Sequence, residues 1–327
     1  PYNKSGVEEL MFTGDESVKK IFLENSYGNL NLEGDLYGWF SLPPIDRVCS
    51  SLVGSLLIKN CKDIPPDYTK DEFWVNYISL IIADEAVDYG NYDGVFIFFD
   101  DVVLEREDLQ KIGRTARPSG SGNMGKIPVL VPDGLYSLYL SRIYRYNNYI
   151  QLREKGTDPR LIILKSSIAH EMAHNFKLRH AAQWTTCSDY NGLAVQVSPS
   201  LVRPDNGCRV DEYGDSHDIM GGGFDRFSAN HKVKAGWPLV TEEVKDSDVQ
   251  QGKSYTLYYS RDNHSRDPSK AQQLRIPVSE NGNNVGFYSV EAVGSGSIIT
   301  RFVPRFAIKL PQHGADIDQI LAGGVRS

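Results

Sequence analysis

Between His170 and His180 the chain reads HEMAHNFKLRH, three histidines and one glutamate in a single short stretch. Imidazole nitrogen suits zinc, and residues four apart share one face of a helix at a spacing of about 6 Å, so His170 and His174 can aim at one point. Glu171 follows His170 at an offset of about 100° around the helix, where it can face a water on the ion without competing for the ion. That is the place for a general base. A catalytic zinc site keeps three protein ligands and leaves its fourth position open. The chemistry this set suits is metal-assisted hydrolysis of a peptide bond: the metal acidifies the water and polarises the carbonyl, and Glu171 takes the proton.

His180 is a ligand only if the helix stops short of it. In a continuous helix it would lie about 9 Å beyond His174, turned by roughly 240°, and face away. The helix must therefore end between the two and turn the chain back. Such turns generally need a left-handed residue, most easily glycine. The candidates here are Asn175, which tolerates positive φ, and Lys177, at a cost of roughly 1 to 2 kcal/mol that metal binding readily offsets. His217 is the residue that could stand in for His180. The remaining histidines, His231, His264 and His313, read as surface or hydrogen-bonded residues.

The elements that carry this stretch belong to an ordinary folded chain. Its 327 residues exceed one typical domain, and the mix of 40% hydrophobic and 24% charged residues suits a soluble globular protein. A formal charge of -7 argues against a general nucleic-acid binder, which needs a basic face. No apolar run reaches the roughly 18 to 20 residues that span a bilayer. Four cysteines, Cys49, Cys61, Cys187 and Cys208, form no CxxC pair and allow three connectivities. Two local loops, Cys49 to Cys61 and Cys187 to Cys208, are the simplest pairing; buried free thiols are the alternative. The sequons at Asn3 and Asn263 point toward a secreted chain. A start at Pro1 with no signal-like segment reads as a mature or trimmed fragment.

Along the chain, VKKIFLENSYGNLNLEGDLYGWF changes from helical spacing to alternation near Asn29 and reads as helix, then strand. RVCSSLVGSLLIKNC and DEFWVNYISLIIADEAVDYG read as helices. GVFIFFDD and KIPVLVPDG read as sheet strands, with the Gly/Ser-rich GRTARPSGSGNMG between them as a loop. DPRLIILKSSIAHEMAHNF starts on Asp158-Pro159 and repeats Leu161, Leu164, Ile168 and Met172 at helical spacing, a long helix packed on the sheet. From Trp184 to Gly223 the sequence reads as a long irregular loop. Past FSANHKVKAGWP, short alternating runs (SYTLYYS, QQLRIPVS, VGFYSVEAV, SIITRFV) predict a β-rich C-terminal domain over 239–327, after a first domain over 1–238.

These residues resemble a family. HEMAHNFKLRH is similar to the metzincin pattern HExxHxxGxxH, with Lys177 at the glycine position, and YGDSHDIMGGG supplies Met220 where metzincins carry a methionine turn. With FSANHKVKAGW and SVKKIFLENSYGNLNLEGDLYGWF, the chain most resembles the gametolysin family of secreted metallopeptidases over about residues 10 to 240. The resemblance implies an α+β fold: a metzincin-like catalytic domain, with a twisted mixed sheet of about five strands and an active-site helix, followed by a smaller β-rich domain. It implies one catalytic zinc ion on His170, His174 and His180, Glu171 as base, and Met220 as a structural floor beneath the ion. A protein or peptide substrate would lie extended along a sheet edge, with KIPVLVP as the cleft-bordering strand. An upstream inhibitory propeptide belongs to the same picture. No tyrosine stands two residues after Met220, so oxyanion charge would rest on zinc.

The expectation is a secreted zinc endopeptidase acting on extracellular or matrix proteins, with no nucleic-acid partner and no membrane span. The competing reading is a non-catalytic, zinc-stabilised adhesion or binding module. Intact Glu171 speaks against that, because a structural zinc site closes its fourth position with protein and needs no base. The acidic runs DDVVLERED and VDEYGD read as solvated loops without EF-hand spacing, and no calcium is assigned to them.

Overall fold

Apolar residues at helical spacing bring two helices together at the centre of the molecule. The computed structural model describes residues 4–38, 87–98, 120–131, 134–143, 159–186, 209–259, 267, 269–280, 282–294, 297–304, 308–309, 316–317 and 319–321. A short helix, α1 (Lys4–Glu8), runs into a π-helical turn (Glu9–Thr13). Next comes α2 (Val18–Asn25), whose first turn is capped by the Ser17 hydroxyl accepting from the Lys20 N–H at 3.3 Å. The long helix α3 (Pro159–His174) begins on proline, which is tolerated there because the first helical N–H has no partner in the helix. Val18 and Phe22 of α2 pack with Leu164, Ile168, Ala169 and Ala173 of α3, while Ile162 and Ile163 face out. Full burial of Phe22, ringed by Phe176, Phe227 and Trp237, contributes roughly 1.5 to 3 kcal/mol.

Two mixed sheets complete an α+β fold. In the first, β1 (Gly94–Phe98), β2 (Gly120–Val131) and β3 (Gly134–Ile143) stand in the order β1-β3-β2, with β1 parallel and β2 antiparallel to the central β3. The second contains β4 (Ala181–Thr186), β5 (Arg209–Asp211), β6 (Thr241–Glu243), β7 (Gln273–Glu280), β8 (Asn283–Gly294) and β9 (Ser297–Pro304). Past β10 (Ile308–Lys309) and β11 (Asp316–Ile317), β12 (Gln319–Leu321) completes it, in the order β5-β4-β12-β9-β8-β7-β6. Helices α4 (Ala229–Lys234) and α5 (Asp246–Gln250) are short, and α4 is capped by Ser228. The Glu291 carboxylate of β8 accepts from the Ala229 N–H at 2.9 Å, which ties α4 to that sheet. Among the described residues, no helix is long and apolar enough to cross a membrane.

Several expectations meet the structure differently. α2 is the expected helix, but the expected strand after it does not form: residues 30–38 join no ladder, and Leu30, Leu32 and Leu36 pack against the core instead. β2 begins at Gly120, not Lys126, so the end of the expected Gly/Ser loop is strand. The stretch from Trp184 to Gly223 is not irregular throughout, because Trp184–Thr186 close β4 and Arg209–Asp211 form β5. Among the described residues of SYTLYYS, only Tyr259 makes a bridge, to Ala292; Tyr255 instead donates to Asp248 at 2.7 Å. The other three C-terminal runs are strands as expected. Cys49, Cys61, Cys187, Cys208, the sequon positions Asn3 and Asn263, and most of the two helices expected before Gly90 lie outside the described residues.

β2 crosses the end of α3 at a distance only glycine permits. A Cβ on Gly122 would stand 1.8 Å from the Glu171 carbonyl oxygen and 3.1 Å from the His174 Cβ. Immediately beyond, the register with β3 breaks between Gly122 and Lys126, a bulge that holds Gly125 at φ +101°. Gly122→Ala should therefore push strand from helix and cost about 1 to 3 kcal/mol in urea unfolding, the usual range for overpacking.

Candidate metal centre

The site is created by the way α3 stops. Helix geometry ends at His174, and Lys177 takes the left-handed conformation, with φ 63°. Its N–H donates to the His174 carbonyl at 2.8 Å, and the Leu178 N–H donates to the Ala173 carbonyl at 3.4 Å. These two bonds satisfy carbonyls that the helix end would otherwise strand, and the fully buried Leu178 and Ala173 supply the apolar contact that accompanies such a cap. Asn175 does not take the left-handed role. Its side chain instead reaches the Ser141 hydroxyl at 2.8 Å, and with its amide nitrogen turned toward the strands it donates to the backbone carbonyls of Asn123 and Leu140 at 2.9 and 3.1 Å. The bulge of β2 is thereby pinned to the end of α3.

Reversed by this turn, the chain delivers His180 to the other two histidines. The ring centroids of His170, His174 and His180 stand 4.9, 5.2 and 5.0 Å apart pairwise, and one nitrogen from each ring lies within 4.8 Å of the others. Each Nδ1 has an oxygen partner: His170 to the Ile219 carbonyl at 2.8 Å, His174 to the Leu178 carbonyl at 2.7 Å, and His180 to Glu212 Oε1 at 2.5 Å. A carbonyl or carboxylate only accepts, so in the neutral ring the proton sits on Nδ1 and Nε2 carries the lone pair. Burial, and then the nearness of His174 and His180, lower the His170 pKa to about 3, which favours the neutral ring with its proton on Nδ1 and none on Nε2. Three neutral imidazoles converging in this way could hold a metal ion. Tetrahedral zinc with bonds near 2.0 to 2.1 Å asks for nitrogens roughly 3.3 Å apart, which the cluster can reach with small movements.

The segment 211–223 wraps the cluster from the other side. Two consecutive carbonyls are used: Ile219 accepts from His170, and Met220 accepts from the Ala181 N–H at 2.8 Å, one residue past His180. Met220 is itself fully buried, in the core that includes Ala169, Ala173 and Ala181. Asp218 shapes this turn, its buried carboxylate accepting from the N–H groups of Met220 and Ser228 and from His231 Nδ1 at 2.8, 3.0 and 2.7 Å. Gly221 fits because a Cβ there would meet the Asp215 and Ala181 carbonyl oxygens at 2.4 and 2.8 Å.

Of the residues singled out in the sequence, His170, His174 and His180 come together, and Glu171, 7% exposed, lies beside His170 on α3. Ser141 stands against the helix there, its hydroxyl oxygen 3.0 Å from the Glu171 carbonyl and 2.8 Å from the Asn175 side chain. His217 is not a member of the group; its ring meets the Ser216 hydroxyl at 3.1 Å. Sequence reasoning missed Glu212 and Tyr213, in a run taken for a solvated loop. The Tyr213 ring lies 4.3 Å from that of His180 and 5.9 Å from that of His170. The signal that could have found them is the short run RVDEY pairing back on β4, where Gln183 stands opposite Asp211. No protein family, no curated protein and no solved structure matches the chain.

Since Lys177 holds a conformation that costs a residue with a Cβ about 1 kcal/mol, Lys177→Gly should leave metal binding intact and raise the unfolding free energy slightly. Lys177→Ile, β-branched at positive φ, should lower it by more than that gain. Urea unfolding of the three proteins, with and without zinc, checks both.

Proposed function

We propose that this chain is a zinc-dependent endopeptidase. The reading rests on one observation above others: three histidines, each oriented through Nδ1, converge at the end of a helix whose next residue after the first ligand is Glu171. Zinc is an ion that a three-imidazole set suits, and when bound there it would supply a Lewis acid for a water and for a substrate carbonyl. Glu171 would act as general base, holding the proton of the attacking water and passing it to the leaving amine. The residue stands about 100° around the helix from His170, an offset from which its side chain can serve the same point without replacing a ligand.

The substrate is a protein or peptide in extended form, lying along β2. That strand is at the edge of its sheet among the described residues, includes Lys126 to Val131 of KIPVLVP, and passes directly over the end of α3 at Gly122. The likeness of HEMAHNFKLRH and of the Met220 turn to metzincins, and of the wider pattern to the gametolysin family, supports the same reading. So do Lys177 in the glycine role and the buried Met220 behind the histidines. An even number of cysteines and two sequons favour a secreted protein acting on extracellular or matrix proteins, with the β-rich C-terminal part as an accessory region.

Glu171→Gln keeps the side chain's size and removes its basicity. With zinc content matched, the wild type should cleave an unfolded protein, and the variant should lose at least about 100-fold in rate, the scale of general base catalysis. Excess chelator should abolish wild-type cleavage. Undiminished cleavage in chelator, or by the zinc-loaded variant, overturns the proposal.

A further inference from the structure

His180 differs from the other two histidines in how it is held. His170 and His174 sit on α3, and their Nδ1 atoms donate to backbone carbonyls, which are neutral. His180 lies past the helix end, in the three-residue approach to β4, so no helix fixes its backbone. Its Nδ1 meets a carboxylate, Glu212 Oε1, at 2.5 Å, with side chains only 18% and 13% exposed. The ring of Tyr213 lies tilted against that of His180 at 4.3 Å. Both partners come from one short segment. β5 pairs antiparallel with β4, which starts one residue after His180, and the chain leaving Asp211 turns at once. The Asp211 carboxylate holds that turn by accepting from the Tyr213 N–H at 3.1 Å, and the Asp215 N–H returns to the Ala181 carbonyl at 3.2 Å.

We propose that Glu212 is the positioning residue of the metal centre: it locks the His180 ring with Nε2 toward the other two imidazoles and supplies a negative charge to the neutral three-histidine set on that side. The inference rests on the metal-site reading. Two consequences follow from the chemistry. A carboxylate on Nδ1 makes the opposite nitrogen a better donor than a carbonyl does, so the His180 bond gains most from its outer partner. A dication surrounded only by neutral ligands also keeps its full charge in a half-buried site, and an anion one ring away lowers the cost of taking it from water. Glu212 touches neither substrate nor reacting atoms and acts only through His180.

The test measures zinc affinity by competition with a chromophoric chelator for the wild type, Glu212→Gln, Glu212→Ala and Tyr213→Leu, alongside melting of each metal-free protein. Carboxylate partners of metal-bound histidines are worth about 10 to 100-fold in affinity. Glu212→Gln should lose affinity within that range and Glu212→Ala at least as much. Tyr213→Leu, which keeps the carboxylate, should lose less than either. Metal-free melting of Glu212→Gln should match the wild type. In the cobalt(II)-substituted proteins, the visible d–d bands should shift in the Glu212 variants, which a role in folding alone would not produce. A wild type that binds no zinc or cobalt sinks the metal-site reading itself. A wild type that binds zinc while Glu212→Gln binds it equally well, with unchanged cobalt bands, overturns the role of Glu212 and leaves the three-histidine site standing.

Discussion

Everything at the candidate site depends on α3 ending at His174. Had the helix run one more turn, His180 would point away from His170 and His174, and the stretch would carry two convergent imidazoles. The stop is made by backbone geometry: Lys177 adopts φ 63°, two hydrogen bonds close on the Ala173 and His174 carbonyls, and Leu178 is drawn fully into the core. Burial of Leu178, at roughly 1.5 to 3 kcal/mol, is of the size needed to offset the strain at Lys177, about 1 to 2 kcal/mol, before any metal ion binds. The Leu178 carbonyl then orients the ring of His174, so one turn ends the helix, delivers the third histidine and fixes the second.

The rest of the molecule holds this turn from two sides. From above, β2 presses on the helix end through Gly122, and Asn175 ties its bulge down. From below, the turn around Met220 offers the Ile219 and Met220 carbonyls to His170 and Ala181, and is itself held by Asp218, which His231 and the cap of α4 secure. Because α4 is tied to β8 through Glu291, the second sheet reaches the histidines through a chain of hydrogen bonds. Rigidity of this kind suits a site whose ligands must converge to within a few tenths of an ångström.

How much of this could be read beforehand follows from how local each feature is. Helix α3 and its ligand pair were legible because their periodicity lies in consecutive residues, as were β1 and the strands of the C-terminal runs. The need for a left-handed residue between His174 and His180 was also legible, and the choice fell between Asn175 and Lys177; the structure gives it to Lys177 because Asn175 is needed as a side-chain link to Asn123 and Leu140. What could not be read depends on pairings between distant segments. Leu30 and Leu32 alternate like a strand yet find core instead of a ladder, and β2 starts early because glycines permit close approach to α3. Glu212 looked solvated because its partner lies thirty-two residues away, and only the pairing of β4 with β5 brings the two together.

The most direct test of the central claim is X-ray absorption spectroscopy at the zinc edge on protein loaded with one equivalent of zinc. The account predicts three imidazole nitrogens near 2.0 Å and one further light atom in the open position, with the imidazole signal reduced in His180→Ala. A spectrum showing sulfur ligation, or four protein nitrogens unchanged by loss of His180, would contradict it.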